Sequence, residues 1–351
     1  MTQYLSDKLR VLSLISIIFV LDIHSRFQPN EIMGMVYYDK IQLFTSEMIG
    51  RCAVPLFYLI SGYLFFMKVP DGVKSIGRKI RKRIKSLLIP YFIGCVFFVI
   101  FYSFVALLPW TSNFINSSSS IMPLFQKPYS IILISIFYDG GTGYPCAFQL
   151  WFLRDLILIV ATSPLWYLCL KHLKWGFVVV TFGLTYLQIP HVPFYALFWF
   201  VLGGQLVNAK SLSGGGGRSV IVTSVLFLVI SGIQLFMTDV IDWKLVKIPV
   251  ILLGIYSAWG LYDTVVGEKF VLSQHQWLAT ACQFTFFIYL FHEPTLNIVR
   301  KLIVVVLGKN ELGYLTSYLI SPWIFTVCAV FIGLLFRKYL PKVYNLCTGG
   351  R

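Results

Sequence analysis

The chain has 351 residues, of which 58% are hydrophobic, 17% aromatic and only 12% charged, with a formal net charge of +15. Soluble domains run at about 45–50% apolar and about 25% charged, so this composition excludes an ordinary water-soluble enzyme. The period-two alternation of an outer-membrane barrel is absent, and the positive charge reads as Lys and Arg held in cytoplasmic loops rather than as a nucleic-acid surface.

The apolar residues fall in blocks of about 17–25, the length that spans a bilayer as helix. The first block, residues 10–26, reads RVLSLISIIFVLDIHSR, with Asp22 and His24 near its far end. Basic residues precede it but no small-residue cleavage site follows, so it reads as a retained span rather than a signal peptide. After a polar loop at 27–42, the second span covers 43–67 and contains RCAVPLFYLISGYLFF. The most basic stretch follows, with Arg78, Lys79, Arg81, Lys82, Arg83 and Lys85 close together. The third span is 87–108. Beyond the Ser-rich loop NSSSS at 116–120 come a short apolar piece near 129–138 and a glycine-rich turn, DGGTG. Spans at 148–170, 175–190 and 193–208 precede SLSGGGGR at 211–218, a flexible linker whose spacing fits no phosphate-binding loop. The last spans are 219–237, 248–266, 277–298 and 314–336.

The predicted fold is an all-α integral membrane protein, one transmembrane domain over residues 1–351 with about ten spans. With the N-terminus inside, Lys8, Arg10, the 68–85 cluster, Lys171, Lys174, Lys210, Arg218, Lys269, Arg337, Lys338 and Lys342 gather on one side, which predicts cytoplasmic termini. The seven cysteines show neither disulfide nor metal spacing, so no metal site is expected.

Four places break the apolar pattern without being loops: Asp22 with His24, Arg51, Arg154 with Asp155, and His292 with Glu293. Ionisable groups inside a membrane cost several kcal/mol unless paired or wetted. In the predicted topology all four lie in the outer half, which suggests one polar cavity. The alternative for Arg51 and Arg154 is snorkelling to the headgroups. Imidazoles gain less from snorkelling and titrate near neutral pH, which favours acid–base work for His24 and His292. Arg78 and Arg81 are three apart and share a helix face, suited to a multiply charged phosphate; lipid headgroups and topology would equally explain them. Trp151 and other aromatic residues at the outer ends fit sugar stacking or, more simply, the interfacial belt.

Several segments resemble the membrane acyltransferase 3 family, bacterial proteins that O-acetylate sugars. IHS at 23–25, RCAVPLFYLISGYLFF at 51–66, RKIRKRIKSLLIPYF at 78–92, QLWFLRDL at 149–156 and FFIYLFHEP at 286–294 are similar to the family's motifs and follow its order. The resemblance implies a multi-pass protein of the bacterial inner membrane that takes an acyl group from cytoplasmic acyl-coenzyme A and passes it to an acceptor at or beyond the membrane. It makes His24 the catalytic histidine and Arg10 its partner arginine. Arg78 and Arg81 become the cytoplasmic Arg-x-x-Arg pair, and Ser61 and Gly62 a serine–glycine pair at a close helix contact. Arg10 and His24 are three residues further apart than the family usually has them, which keeps the helix face but adds about 4.5 Å along the axis.

Acyl transfer to a hydroxyl needs a base for the hydroxyl proton and a cation or donor near the developing oxyanion. His24 supplies the first; Arg51, Arg154 or a protonated His292 would supply the second. Glu293 or Asp155 from another helix is a better orienting partner for His24 than Asp22, two positions away on another face. The expected function is therefore O-acetyl transfer from acetyl-coenzyme A, a co-substrate and not a resident cofactor, to a surface polysaccharide, O-antigen or lipid-linked glycan precursor. The alternatives are a flippase for a polyprenyl-linked sugar and a silent membrane scaffold.

Overall fold

The computed structural model describes residues 2–27, 32, 34–67, 69, 72–108, 126–139, 143–187, 189, 191–208, 217–237, 243–267 and 269–350. Among them every regular element is helical. The NSSSS loop and the glycines of the linker at 211–216 lie outside the described residues.

Helix α1 (Gln3–His24) is capped at Thr2, whose hydroxyl accepts from the Leu5 amide at 3.2 Å, and ends at His24, with Ser25 as its C-cap. The second rod runs unbroken as α2 (Val36–Gln42), a π-helical turn (Leu43–Ile49), a tight turn (Gly50–Cys52) and α3 (Ala53–Phe66). It begins seven residues before the predicted span at 43 because Glu311, far along the chain, accepts from the free amides of Tyr37 (2.8 Å) and Tyr38 (3.0 Å). In the π turn, Thr45 and Ser46 donate their hydroxyls to the carbonyls of Ile41 and Gln42, which the altered register leaves poorly bonded.

Helix α4 (Val73–Ala106) joins the basic stretch and the third span in one 34-residue element with Pro90 inside it. Lys79 on its second turn donates to the carbonyls of Phe65 and Met67, so this lysine caps the end of α3. Next come α5 (Tyr129–Phe137), a tight turn at Phe148–Leu150, α6 (Trp151–Ala161) and α7 (Ser163–Leu173). The predicted single span 148–170 is thus a pair bent by 66°, with Pro164 opening α7. The remaining helices are α8 (Trp175–Leu184), α9 (Phe194–Asn208), α10 (Gly217–Phe236), α11 (Trp243–Leu261), α12 (Gln276–Gln283), α13 (Thr285–Leu307), α14 (Glu311–Tyr339) and α15 (Pro341–Thr348).

Among the described residues five helical segments are long and apolar enough to cross a membrane: Val36–Phe66, Lys74–Val105, Gly217–Phe236, Trp243–Val266 and Glu311–Tyr339; the bent α6–α7 pair makes a sixth if counted as one span. Helices α1 and α13 have the length, at 22 and 23 residues, but are too charged: α1 carries Asp7, Lys8, Arg10 and Asp22, and α13 carries Glu293, Arg300 and Lys301. Both are shielded by protein, α1 packing on α3, α12, α13 and α14.

Two close contacts set this packing. A Cβ on Gly62 would lie 1.9 Å from the Phe200 carbonyl oxygen, and one on Gly203 would lie 2.1 Å from that of Leu59, so α3 and α9 meet backbone to backbone. At the start of α1, Lys8 is 1% exposed and donates to Asp263 at 2.6 Å beneath Tyr4, which donates to the same carboxylate oxygen at 2.5 Å. This buried pair ties α1 to the end of α11.

Candidate active site

The site begins at a kink. Pro294 has no N–H to give to the turn before it, and Glu293 leaves the helical region (φ −105°, ψ 133°) in a cis Glu293–Pro294 unit. The turn preceding α6 is bonded to the kink on both sides: Gln149 Nε2 donates to the Glu293 carbonyl at 3.2 Å, and the Tyr289 hydroxyl donates to the Gln149 carbonyl at 3.1 Å. His292 and Glu293 are thereby held against the last residue of α1.

The rings of His24 and His292 lie 4.7 Å apart, edge to face, and His24 Nδ1 is 3.9 Å from Glu293 Oε1. Phe148 packs beside the His24 ring, 5.7 Å between centroids. His292 is fully buried, whereas His24 keeps 18% of its side chain exposed, enough for a substrate atom to reach it. His292 Nδ1 lies 2.6 Å from the Tyr289 carbonyl oxygen. A carbonyl only accepts, so Nδ1 carries the hydrogen and neutral His292 keeps its lone pair on Nε2. That Nε2 is buried and has no hydrogen-bond partner among the described residues, nor does the side-chain oxygen of Gln149. Two unused acceptors therefore adjoin the kink, where buried acceptors are normally satisfied.

A cation closes the group. Arg300 donates from Nε to Asn297 at 2.9 Å and from Nη1 to the Arg26 carbonyl, with its guanidinium 4.7 Å over the Phe27 ring. Through Arg26 it is tied to the chain two residues beyond His24. Sequence reasoning passed over Arg300, although the signal was present: it stands seven residues after Glu293, two turns along one helix face.

The single polar cavity predicted for the outer half does not form. Arg154 and Asp155 are buried and satisfy each other, Arg154 Nε to Asp155 at 2.8 Å, and Arg154 also donates to the Gly143 carbonyl under the Tyr144 ring. Arg51 pairs with Glu47, which Arg26 also engages. Trp151 is half-buried on the core at the start of α6. Of the predicted residues, His24, His292 and Glu293 come together in one cluster, Arg154 and Asp155 pair with each other, and Arg10 and Ser61 meet at a separate cavity.

On the near side of Tyr289 lies an apolar cavity of about 510 Å³. Ser61, Phe152 and Phe286 line it, and the guanidiniums of Arg10, Arg83 and Arg337 come to it from α1, α4 and α14. Arg337 also donates to Gln283 at 2.9 Å. Arg78 and Arg81 are exposed on α4 and do not line this cavity; Arg83, on a different face of the same helix, does. Arg10 stands about 21 Å along α1 from His24, so it belongs to the cavity and not to the histidine pair. Tyr289 joins the two regions, its side chain lining the cavity and its carbonyl holding His292. Among the described residues no three His, Cys, Asp or Glu side chains gather as metal ligands.

A helical membrane bundle with paired histidines, a carboxylate and a cation beside a cavity lined by arginines is equipped for proton transfer next to a bound anionic substrate. The chain belongs to the acyltransferase 3 family: the model of the family's acyltransferase domain matches residues 6–336. It is similar to the succinoglycan biosynthesis protein ExoH of Rhizobium meliloti (strain 1021), with 23% identity over 369 aligned positions covering 98% of this chain and 91% of that protein. No solved structure matches it significantly.

Proposed function

We propose that this protein is an O-acyltransferase of the bacterial inner membrane that moves an acetyl group from cytoplasmic acetyl-coenzyme A to a hydroxyl of a surface polysaccharide or its lipid-linked precursor. The observation that carries this reading is the His24–His292–Glu293 cluster with an open acceptor on His292 Nε2. A relative named for succinoglycan biosynthesis supports a polysaccharide acceptor.

In this reading Arg10, Arg83 and Arg337 hold the phosphates of the donor, and the apolar cavity takes the pantetheine arm toward Tyr289. The acceptor hydroxyl oxygen attacks the thioester carbonyl while His24 takes the hydroxyl proton. The C–O bond forms, the C–S bond breaks, and the same proton passes to the departing thiolate. Glu293 orients His24 and offsets the imidazolium charge, and His292 Nε2 is open to accept from a second, non-reacting hydroxyl of the acceptor. Arg300, on the same helix as Glu293, bonds the Arg26 carbonyl two residues past His24 and brings a positive charge to this end of the site.

In this reading the chain makes ten passes with both termini cytoplasmic, through α1, α2–α3, α4, α6–α7, α8, α9, α10, α11, α13 and α14, of which five or six are long and apolar enough by themselves. The pairs Lys8–Asp263 and Arg337–Gln283 then mark the cytoplasmic end, and Ser25–Ser321 and Arg26–Arg300 the outer end. The test is thioester cleavage of labelled acetyl-coenzyme A by the purified protein in nanodiscs. Cleavage should be lost in His24→Ala and in His292→Ala; equal cleavage in wild type and both variants would refute the assignment.

A further inference from the structure

A second cavity, of about 470 Å³, opens at the end of the bundle where α1 finishes, and the chemistry above does not use it. Four helix ends meet there: the residues after α8 give Tyr186, the start of α9 gives Tyr195, the end of α10 gives Gln234, and the start of α11 gives Trp243 and Lys247. Arg51 comes from the turn before α3.

Hydrogen bonds fix two of the walls, and the rings also pack on neighbours, Tyr186 on Phe182 and Tyr195 on Trp199. Tyr186 donates its hydroxyl to the Leu245 carbonyl at 2.9 Å, and Trp243 donates Nε1 to the Met237 carbonyl at 3.1 Å. Residues of an interfacial belt point outward to headgroups; these three aromatic residues from different helices converge on one concavity. Lys247 stands 5.6 Å from the Tyr195 ring and makes no ion pair among the described residues. Arg51 shares its one carboxylate, Glu47, with Arg26, so two guanidiniums face a single negative charge. Among the described residues, Lys247 and Arg51 thus bring more positive than negative charge to an open cavity whose size is typical of ligand sites.

Aromatic faces stack on the apolar faces of sugar rings, an amide such as Gln234 hydrogen-bonds hydroxyls, and leftover cations select an anion. We infer that this cavity binds a saccharide carrying a carboxylate or phosphate. Its position relates it to the reacting end: Arg51, Glu47 and Arg26 form a line of alternating charge that returns to α1 two residues beyond His24. That the bound sugar is the acyl acceptor rests on the acyl-transfer reading; the binding itself does not.

The test uses the full chain in nanodiscs, tryptophan fluorescence and three probes: tetragalacturonate, glucose 1-phosphate and neutral maltotetraose. Saturable binding of one or both anionic probes at affinities at least tenfold above that of maltotetraose is expected, and which of them binds identifies carboxylate or phosphate as the recognised group. Lys247→Gln should weaken that binding at least tenfold, and Tyr186→Leu should weaken it with the charge intact. No binding, equal affinity for the neutral probe, or an unchanged Lys247→Gln would overturn the inference. Thioester cleavage is followed in the same samples: if wild type binds the probe yet cleaves no acetyl-coenzyme A, the acyl-transfer reading fails and the sugar site stands.

Discussion

Glu293→Gln isolates the role of one charge. The amide keeps the carboxylate's shape, and the backbone bond from Gln149 to residue 293 is untouched. What disappears is the attraction between a full negative charge and the imidazolium formed as the hydroxyl proton moves. At the observed 3.9 Å that attraction is about 4 kcal/mol for complete charges at an effective dielectric of about 20. A transition state in which the proton is half transferred realises about half of it, about 2 kcal/mol. At 1.36 kcal/mol per decade, kcat should fall by about 30-fold at the low end and about 1,000-fold at the high end. KM for acetyl-coenzyme A should not move, because Glu293 does not line the donor cavity. The assay is steady-state transfer by nanodisc-embedded protein whose thermal unfolding matches wild type. A kcat within threefold of wild type would refute the idea that Glu293 supports His24 electrostatically.

Three further outcomes follow from the same geometry. Arg83→Gln should raise KM for acetyl-coenzyme A by tenfold or more with little change in kcat, while Arg78→Gln should move KM by less than threefold; comparable effects would return the donor site to the Arg-x-x-Arg pair. Gly62→Ala puts a methyl 1.9 Å from the Phe200 carbonyl, so α3 and α9 must separate at a cost of about 1–3 kcal/mol or more, visible as a lower melting midpoint in detergent; an unchanged midpoint would show that the contact is soft. Lys8→Met leaves Asp263, about a quarter exposed, with the Tyr4 hydroxyl but no cation and should cost about 1–3 kcal/mol, with Lys8→Met/Asp263→Asn recovering part of it; a double variant no more stable than the single would mean the pair is not the source of the loss.

Hydropathy made most of the helices legible, because a bilayer span must be both long and apolar. It misplaced the elements whose boundaries depend on distant partners. The start of α2 waits on Glu311, some 270 positions away, and nothing local to residues 36–42 announces it. The basic stretch looked like a loop because its charges suit the cytoplasm, yet it is continuous with the third span and one of its lysines caps a neighbouring helix. His24, His292 and Glu293 stood out because imidazole and carboxylate groups are rare in apolar helices. Arg154 and Asp155 stood out for the same reason and turned out to satisfy each other, which sequence cannot distinguish from a shared site. Arg300 was hidden at the end of a predicted span that closed at 298, whereas α13 continues to Leu307.

The two helices too charged to pass as ordinary spans, α1 and α13, are the two that carry the histidines. Their polar groups are covered by neighbouring helices rather than lipid, and most are accounted for: Lys8 by Asp263, Arg300 by Asn297 and the Arg26 carbonyl, His292 Nδ1 by the Tyr289 carbonyl. A buried acceptor left without a donor costs about 1–3 kcal/mol, and the kink carries two, His292 Nε2 and the Gln149 side-chain oxygen. A sequence under selection for stability alone would replace them with apolar groups of the same shape. In the acyl-transfer reading, a second hydroxyl of an acceptor arriving beside His24 would satisfy one of them and leave the reacting hydroxyl free to give its proton to His24. If the acyl-transfer reading holds, these acceptors are a seat for a substrate hydroxyl, satisfied only when the substrate is present.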